Sequence, residues 1–156
     1  MRNKYFPEEE IEINDLYFTC YMIERVARQL HQRNRYVVNS IGGDELYHIL
    51  SVANVLHSEN PKQVESEWID NYKLSASEFD IEDVDKELVD TIPTPLDMGE
   101  VYQRLIVDTM TTKENYVDGI LRVYNDPICD VIDNYNCSAY YEPSYVIARA
   151  YQNGGF

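Results

Sequence analysis

Residues 13–32, INDLYFTCYMIERVARQLHQ, decide the class of fold. Ile13, Leu16, Cys20, Ile23, Ala27 and Leu30 recur at alternating spacings of three and four, which is the period of one helix face. Phe18, Met22 and Val26 widen the apolar arc, whereas Tyr17, Tyr21, Glu24, Arg25, Arg28 and Gln32 form the opposite side. The pattern predicts an amphipathic helix capped at Asn14 or Asp15, laid against a core with a mixed, locally basic outer stripe.

The same signals recur along the chain. Gly42-Gly43-Asp44 breaks it and offers a cap for a helix with Leu46, Leu50, Ala53 and His57 on one face. Asn60-Pro61, followed by Gln63, has the residues favoured at a helix start, with Val64, Trp68 and Tyr72 as the buried side. Ile81, Val84 and Leu88 predict a short acidic helix. Thr91-Ile92-Pro93-Thr94-Pro95 reads as extended, because residues preceding proline avoid helical angles. Asp97 with Glu100, Thr111 with Glu114, Asp126-Pro127 and Pro143 open further helices, the last carrying Val146, Arg149 and Tyr151 and stopping at Asn153-Gly154-Gly155. Tyr36-Val37-Val38 is the only strand-like run. The expectation is an all-α, single, compact, non-repetitive bundle of six to seven helices with little or no sheet. Residues 1–12 read as a flexible N-terminal arm, residues 13–156 as one helical domain, and 91–96 as an extended proline-containing connection.

The chain has 156 residues with 13 Lys plus Arg against 28 Asp plus Glu, a formal charge of −15. Such a charge argues against binding nucleic-acid backbone or anionic lipid, both of which need cationic faces. With 44% apolar residues and 14 tyrosines the chain is too rich in packing residues for a disordered acidic tail. Residues 1–40 carry six acidic and six basic residues, so the whole excess belongs to residues 41–156. Between Glu65 and Asp90 ten acids face Lys73 and Lys86, a local net of −8. No apolar h-region follows the first residues and no stretch is long enough to span a bilayer. Cys20, Cys129 and Cys137 form an odd set without CxxC spacing, as expected of reduced thiols. A soluble, cytoplasmic protein is expected, in which the sequon Asn136-Cys137-Ser138 is a chance match.

Catalytic signatures are sparse. Nucleotide, hydrolase and zincin motifs are missing, and the Asp80–Asp85 run has Val84 and Asp85 where a calcium loop needs an oxygen ligand and glycine. Glu45 and His48 have the spacing of half a carboxylate–imidazole metal site. His57 lies near a helix end with Glu59 as the nearest carboxylate in sequence. Cys20 and His31 are separated by roughly 16 Å at the rise of a helix, too far for a dyad. No catalytic residue, metal or cofactor is assigned.

Two binding surfaces are expected. One is an acidic face of Glu65, Glu67, Asp70, Glu78, Asp80, Glu82, Asp83, Asp85 and Glu87. The other is an aromatic and polar patch of Tyr135, Asn136, Ser138, Tyr140, Tyr141 and Tyr145, for which closure of the core by the last helix is the duller alternative. The acidity serves either solubility or a basic protein partner, in the manner of an inhibitor or antitoxin, with mimicry of nucleic-acid phosphate a further form of the same idea. The rivals are a small-ligand-binding protein or hydrolytic enzyme using His57 or Glu45/His48 with the C-terminal tyrosines, and an oligomeric structural protein completing its helix-one seam with another copy.

Overall fold

The computed structural model describes residues 1–156. It contains eight α-helices, a single 3-10 turn at Ala139–Tyr141 and no strand. The helices are α1 (Ile13–Leu30), α2 (Asn34–Ile41), α3 (Gly43–Leu56), α4 (Pro61–Asn71), α5 (Pro95–Thr109), α6 (Tyr116–Tyr124), α7 (Ile128–Ile132) and α8 (Ser144–Asn153). No helix is long and apolar enough to cross a membrane.

The central element is α1, which touches α2, α3, α4 and α5, while α5 carries α6 and α8 on its other sides. Leu16, Cys20, Met22, Ile23 and Val26 are wholly inaccessible. The α1 start differs from expectation: Glu12 is the cap, and its N–H donates to Asp15 Oδ2 at 2.8 Å, so Asp15 is the third helical residue. At the other end His31 takes a left-handed φ of 52°, and the Gln32 N–H closes onto Ala27 O at 2.9 Å.

Other helix boundaries follow local chemistry. Asn60 caps α4 by accepting from Lys62 N–H at 2.9 Å, with Pro61 in the first helical position as predicted. Helix α5 begins two residues before the expected Asp97, since Thr94 and Asp97 form a reciprocal capping box. The extended connection therefore ends at Thr94. Thr111 N–H does donate to Glu114 Oε1, but only a turn results, and the cap of α6 is Asn115 paired with Asp118. Tyr36-Val37-Val38 is helical within α2, because Val37, Val38 and Ile41 fall on one buried helix face.

The largest departure is residues 73–94, where no helix forms despite the spacing of Ile81, Val84 and Leu88. Asp80 Oδ1 accepts from Glu82 N–H at 2.9 Å, and Asp85 Oδ1 accepts from Glu87 N–H at 3.0 Å. Aspartates that bond the backbone two residues on compete with helix formation and turn the chain. Upstream, the N–H groups of Ser77 and Phe79 donate to Leu30 O and His31 O, which fastens this segment across the end of α1.

Residues 1–12 are non-helical and pinned along their length. Met1 and Ile11 exchange backbone hydrogen bonds at 3.0 Å, Asn3 Nδ2 donates to Ser51 O at 3.2 Å, and Ile11 is buried.

The α1–α5 contact has almost no clearance at Gly99. A Cβ there would lie 2.9 Å from the Tyr21 backbone, inside any real contact distance and against atoms that cannot rotate away. Gly99→Ala should consequently destabilise the protein by about 1–3 kcal/mol through overpacking, although in an exposed helix the same change stabilises by about 1 kcal/mol. Urea unfolding of the two proteins, compared at constant m-value, measures the sign.

Candidate functional site

The two surfaces expected separately meet along one seam. Asp85 N–H donates to Asn136 Oδ1 at 2.8 Å, tying the acidic segment to the tyrosine block. Three hollows adjoin there. The first, about 410 Å³, is walled by Arg33, Phe79 and the carboxyls of Glu78, Asp80, Asp83, Asp130 and Asp133. The second, about 390 Å³, lies between Leu88–Thr91 and Asn136–Ser138, and shares Tyr135 with the first. The third, about 420 Å³, shares Thr91 and Tyr140 with the second and is formed by the proline connection, α5 and the start of α8. Its apolar wall includes Ile92, Leu105 and Ile147, and its polar wall Asp97, Glu100, Glu142 and Arg104, with Arg104 already paired to Glu100. Tyr141 stands at this end with 82% of its surface exposed.

The individual residues divide. Glu78, Asp80, Glu82, Asp83, Asp85 and Glu87 are exposed, as are Asn136, Ser138, Tyr141 and Tyr145, while Tyr140 is half-buried. Glu65 does not belong to a free acidic face: it is buried and accepts from Arg25 Nε at 2.6 Å. Glu67 lines a different hollow, and Asp70 is exposed on α4. Tyr135 is likewise no surface residue, being 3% exposed with its hydroxyl turned inward.

Beneath the trough that these three hollows form between residues 78–94 and 130–147 lies a polar network that the amphipathic pattern does not reveal. Glu24, assigned by that pattern to the outer stripe, is 1% exposed. Its Oε1 accepts from Arg28 Nε at 3.1 Å and from Tyr135 OH at 3.3 Å, and its Oε2 from Asn34 Nδ2 at 2.8 Å. Arg28 also donates to Pro93 O at 2.8 Å and to Tyr135 OH at 3.2 Å. Next to this group the Tyr102 hydroxyl donates to Asp133 Oδ1 at 2.6 Å, and the Tyr102 ring stacks on Tyr124 with centroids 4.5 Å apart. Burial, and then the charge of Glu24, push the Asp133 carboxyl well above the usual range. No local pattern in the sequence marks this network: Asn34 lies between Arg33 and Arg35, and Tyr135 between Asn134 and Asn136.

The catalytic alternatives fare unevenly. His57 is exposed at the end of α3 and its ring lies edge-on to Phe18. His48 does share a hollow of about 520 Å³ with Glu45, Glu67 and Trp68. No three of the chain's carboxylate, thiol and imidazole groups are placed to hold a metal ion. Cys20 and Cys129 are buried, and burial pushes the Cys20 thiol up to about 12, so it stays protonated and unreactive. Cys137 is exposed within the trough, its thiol donating to Asn134 O at 3.1 Å.

Comparison with protein families, with curated proteins and with solved structures finds no match to this chain.

The buried Asp133 has a consequence for stability. An acid whose folded-state pKa lies above its unfolded value of about 3.9 binds more protons folded than unfolded, so stability falls as pH rises past that value. Asp133→Asn keeps an acceptor for Tyr102 and removes the titration. The variant should melt above the parent protein at pH 7, with the difference closing towards pH 4; thermal melts across that range check it.

Proposed function

We propose that this protein is an acidic interaction module that binds a basic segment of another protein in the trough between residues 78–94 and 130–147. The observation that carries the reading is the third hollow, in which an apolar floor and the exposed Tyr141 ring sit beside three carboxylates and a single cation that is already paired. Solubility alone requires charge on the surface but no uncovered aromatic anchor next to it. A tyrosine in such a place supplies rigid contact area at small entropic cost, and the surrounding carboxylates steer and orient a cationic guest. An inhibitor or antitoxin-like role follows if the bound segment is one that its owner needs for activity.

A second reading rests on the His48 hollow. Imidazole, two carboxylates and the Trp68 ring suit a small cationic or aromatic ligand there. Perturbation of His48 and Trp68 signals by such a ligand, with the trough untouched, would favour this reading over the first.

Short peptides selected on the immobilised protein from a random library should carry Arg or Lys beside an aliphatic or aromatic residue. Tyr141→Ala should weaken the selected peptides by about tenfold or more, as expected of an anchor. Glu100→Lys with Glu142→Lys should slow their association and flatten its salt dependence. Selection of acidic or uncharged peptides, or affinity independent of salt, refutes the reading.

A further inference from the structure

We propose that the first hollow of the trough is a guanidinium site, in which Asp133 is the buried receptor for an arginine side chain of the partner. This rests on the proposed binding of a basic segment and names where its cation is held.

Asp133 is 7% exposed, and one of its oxygens is used by Tyr102. The other has no hydrogen-bond partner, yet the only fully enclosed side-chain polar atoms left unpaired in the protein are Arg122 Nη2 and the Tyr124 hydroxyl. The free oxygen of Asp133 is therefore accessible to solvent, and the residue lines the first hollow. That oxygen is left to solvent, so a cationic donor arriving there displaces water rather than a protein partner and favours the ionised acid.

The rest of the wall selects the donor. Asp130 is occupied by Arg33 at 3.0 Å and by Arg35, whereas Glu78, Asp80, Asp83 and Asp133 have no ion-pair partner. These carboxyls are not gathered closely enough to coordinate a metal ion. A guanidinium is different in reach: it presents five N–H donors around a plane and can satisfy acceptors too far apart to share one ion. The wall already holds one such group, since the Arg33 guanidinium lies 4.2 Å from the centre of the Phe79 ring.

Proton exchange gives the site a signature. Asp133 is faced by Glu24 and Arg28 from α1, Arg33 before α2, Tyr102 from α5, Cys129 from α7 and Tyr135 from the following turn. His31 stands on the neighbouring wall with Phe79 and Asp80. Burial and Glu24 favour the neutral acid, and an incoming cation favours the carboxylate. Binding thus expels a proton from Asp133 to solvent, and affinity rises with pH.

The probe is N-acetyl-arginine amide, titrated into isotopically labelled full-length protein at pH 5.5 and pH 7.5. Shifts should appear at residues 78–83 and 130–135, with tighter binding at the higher pH and none for the neutral citrulline analogue. Asp133→Asn should lose about tenfold in affinity at pH 7.5, the usual effect of removing one charged hydrogen-bond partner. That variant keeps His31, so the pH dependence it loses belongs to Asp133. Glu78→Gln with Asp83→Asn, changed only at exposed positions, should weaken binding without touching the fold. Equal affinity and pH profile in Asp133→Asn, equal binding of citrulline, or tighter binding of calcium at the same residues overturns the proposal. If selected basic peptides still need Tyr141 while arginine amide fails here, this subsite falls and the broader reading stands.

Discussion

A carboxylate on the central helix, Glu24, has to be kept hydrogen-bonded inside the bundle, and the geometry of the trough follows from how this is done. Leaving such a group unpaired would cost several kcal/mol, so its oxygens draw in Arg28 from the next turn, Asn34 from α2 and Tyr135 from beyond α7. Arg28 then extends the arrangement by holding Pro93 O. Two segments without regular structure, one before α5 and one after α7, are thereby anchored to the same side of α1. The space between them is the trough. An apolar residue at position 24 could fill the same volume, but it would have no means of orienting either segment.

The close approach of α1 and α5 supplies the rigid side of the site. Gly99 lets the two backbones come nearly into contact, which brings Tyr102, one turn further on, deep enough to reach Asp133. The remaining length of α5 presents Asp97, Glu100, Val101 and Arg104 to the third hollow. A wall built on a helix holds its side chains more precisely than one built on a loop. The opposite wall is made of turns fixed by aspartate side chains and by the Asp85–Asn136 bond. The trough thus has one wall built on a helix and one built on hydrogen-bonded turns.

Much of the helical framework was readable before any coordinates. The alternating spacings from Ile13 to Leu30 and the Asn60-Pro61 start correspond to α1 and α4, because in both the hydrophobic period and the cap chemistry agree. Between Ile81 and Leu88 they disagree: the apolar period is helical, but the aspartates supply competing turn bonds, and with few apolar contacts to gain the turns prevail. Glu24 was misplaced for a related reason. It lies one turn from both Cys20 and Arg28, at the border of the apolar arc, and the arc's width depends on how many neighbours surround the helix. Four helices pack on α1, so its buried arc extends past the purely apolar positions. That the acidic segment and the tyrosine block share a seam was out of reach, since no local pattern encodes the long-range bond from Asp85 to Asn136.

The distribution of acids separates two physical roles that a net charge of −15 merges. Carboxylates such as Glu82 and Glu87 are open to water, repel like molecules and are screened by salt within about 10 Å, which is the behaviour of a solubilising surface. Asp133 and Glu24 are almost fully withdrawn from water, where a charge costs free energy and an added acid cannot aid solubility. Glu24 is compensated by three side chains, whereas Asp133 is bonded through one oxygen and leaves the other to solvent beside a hollow lined with carboxylates. The two buried acids therefore differ in surroundings: Glu24 is enclosed by protein donors and holds the walls in place, and Asp133 reaches solvent with one oxygen, which is what the proposed guanidinium site requires of it.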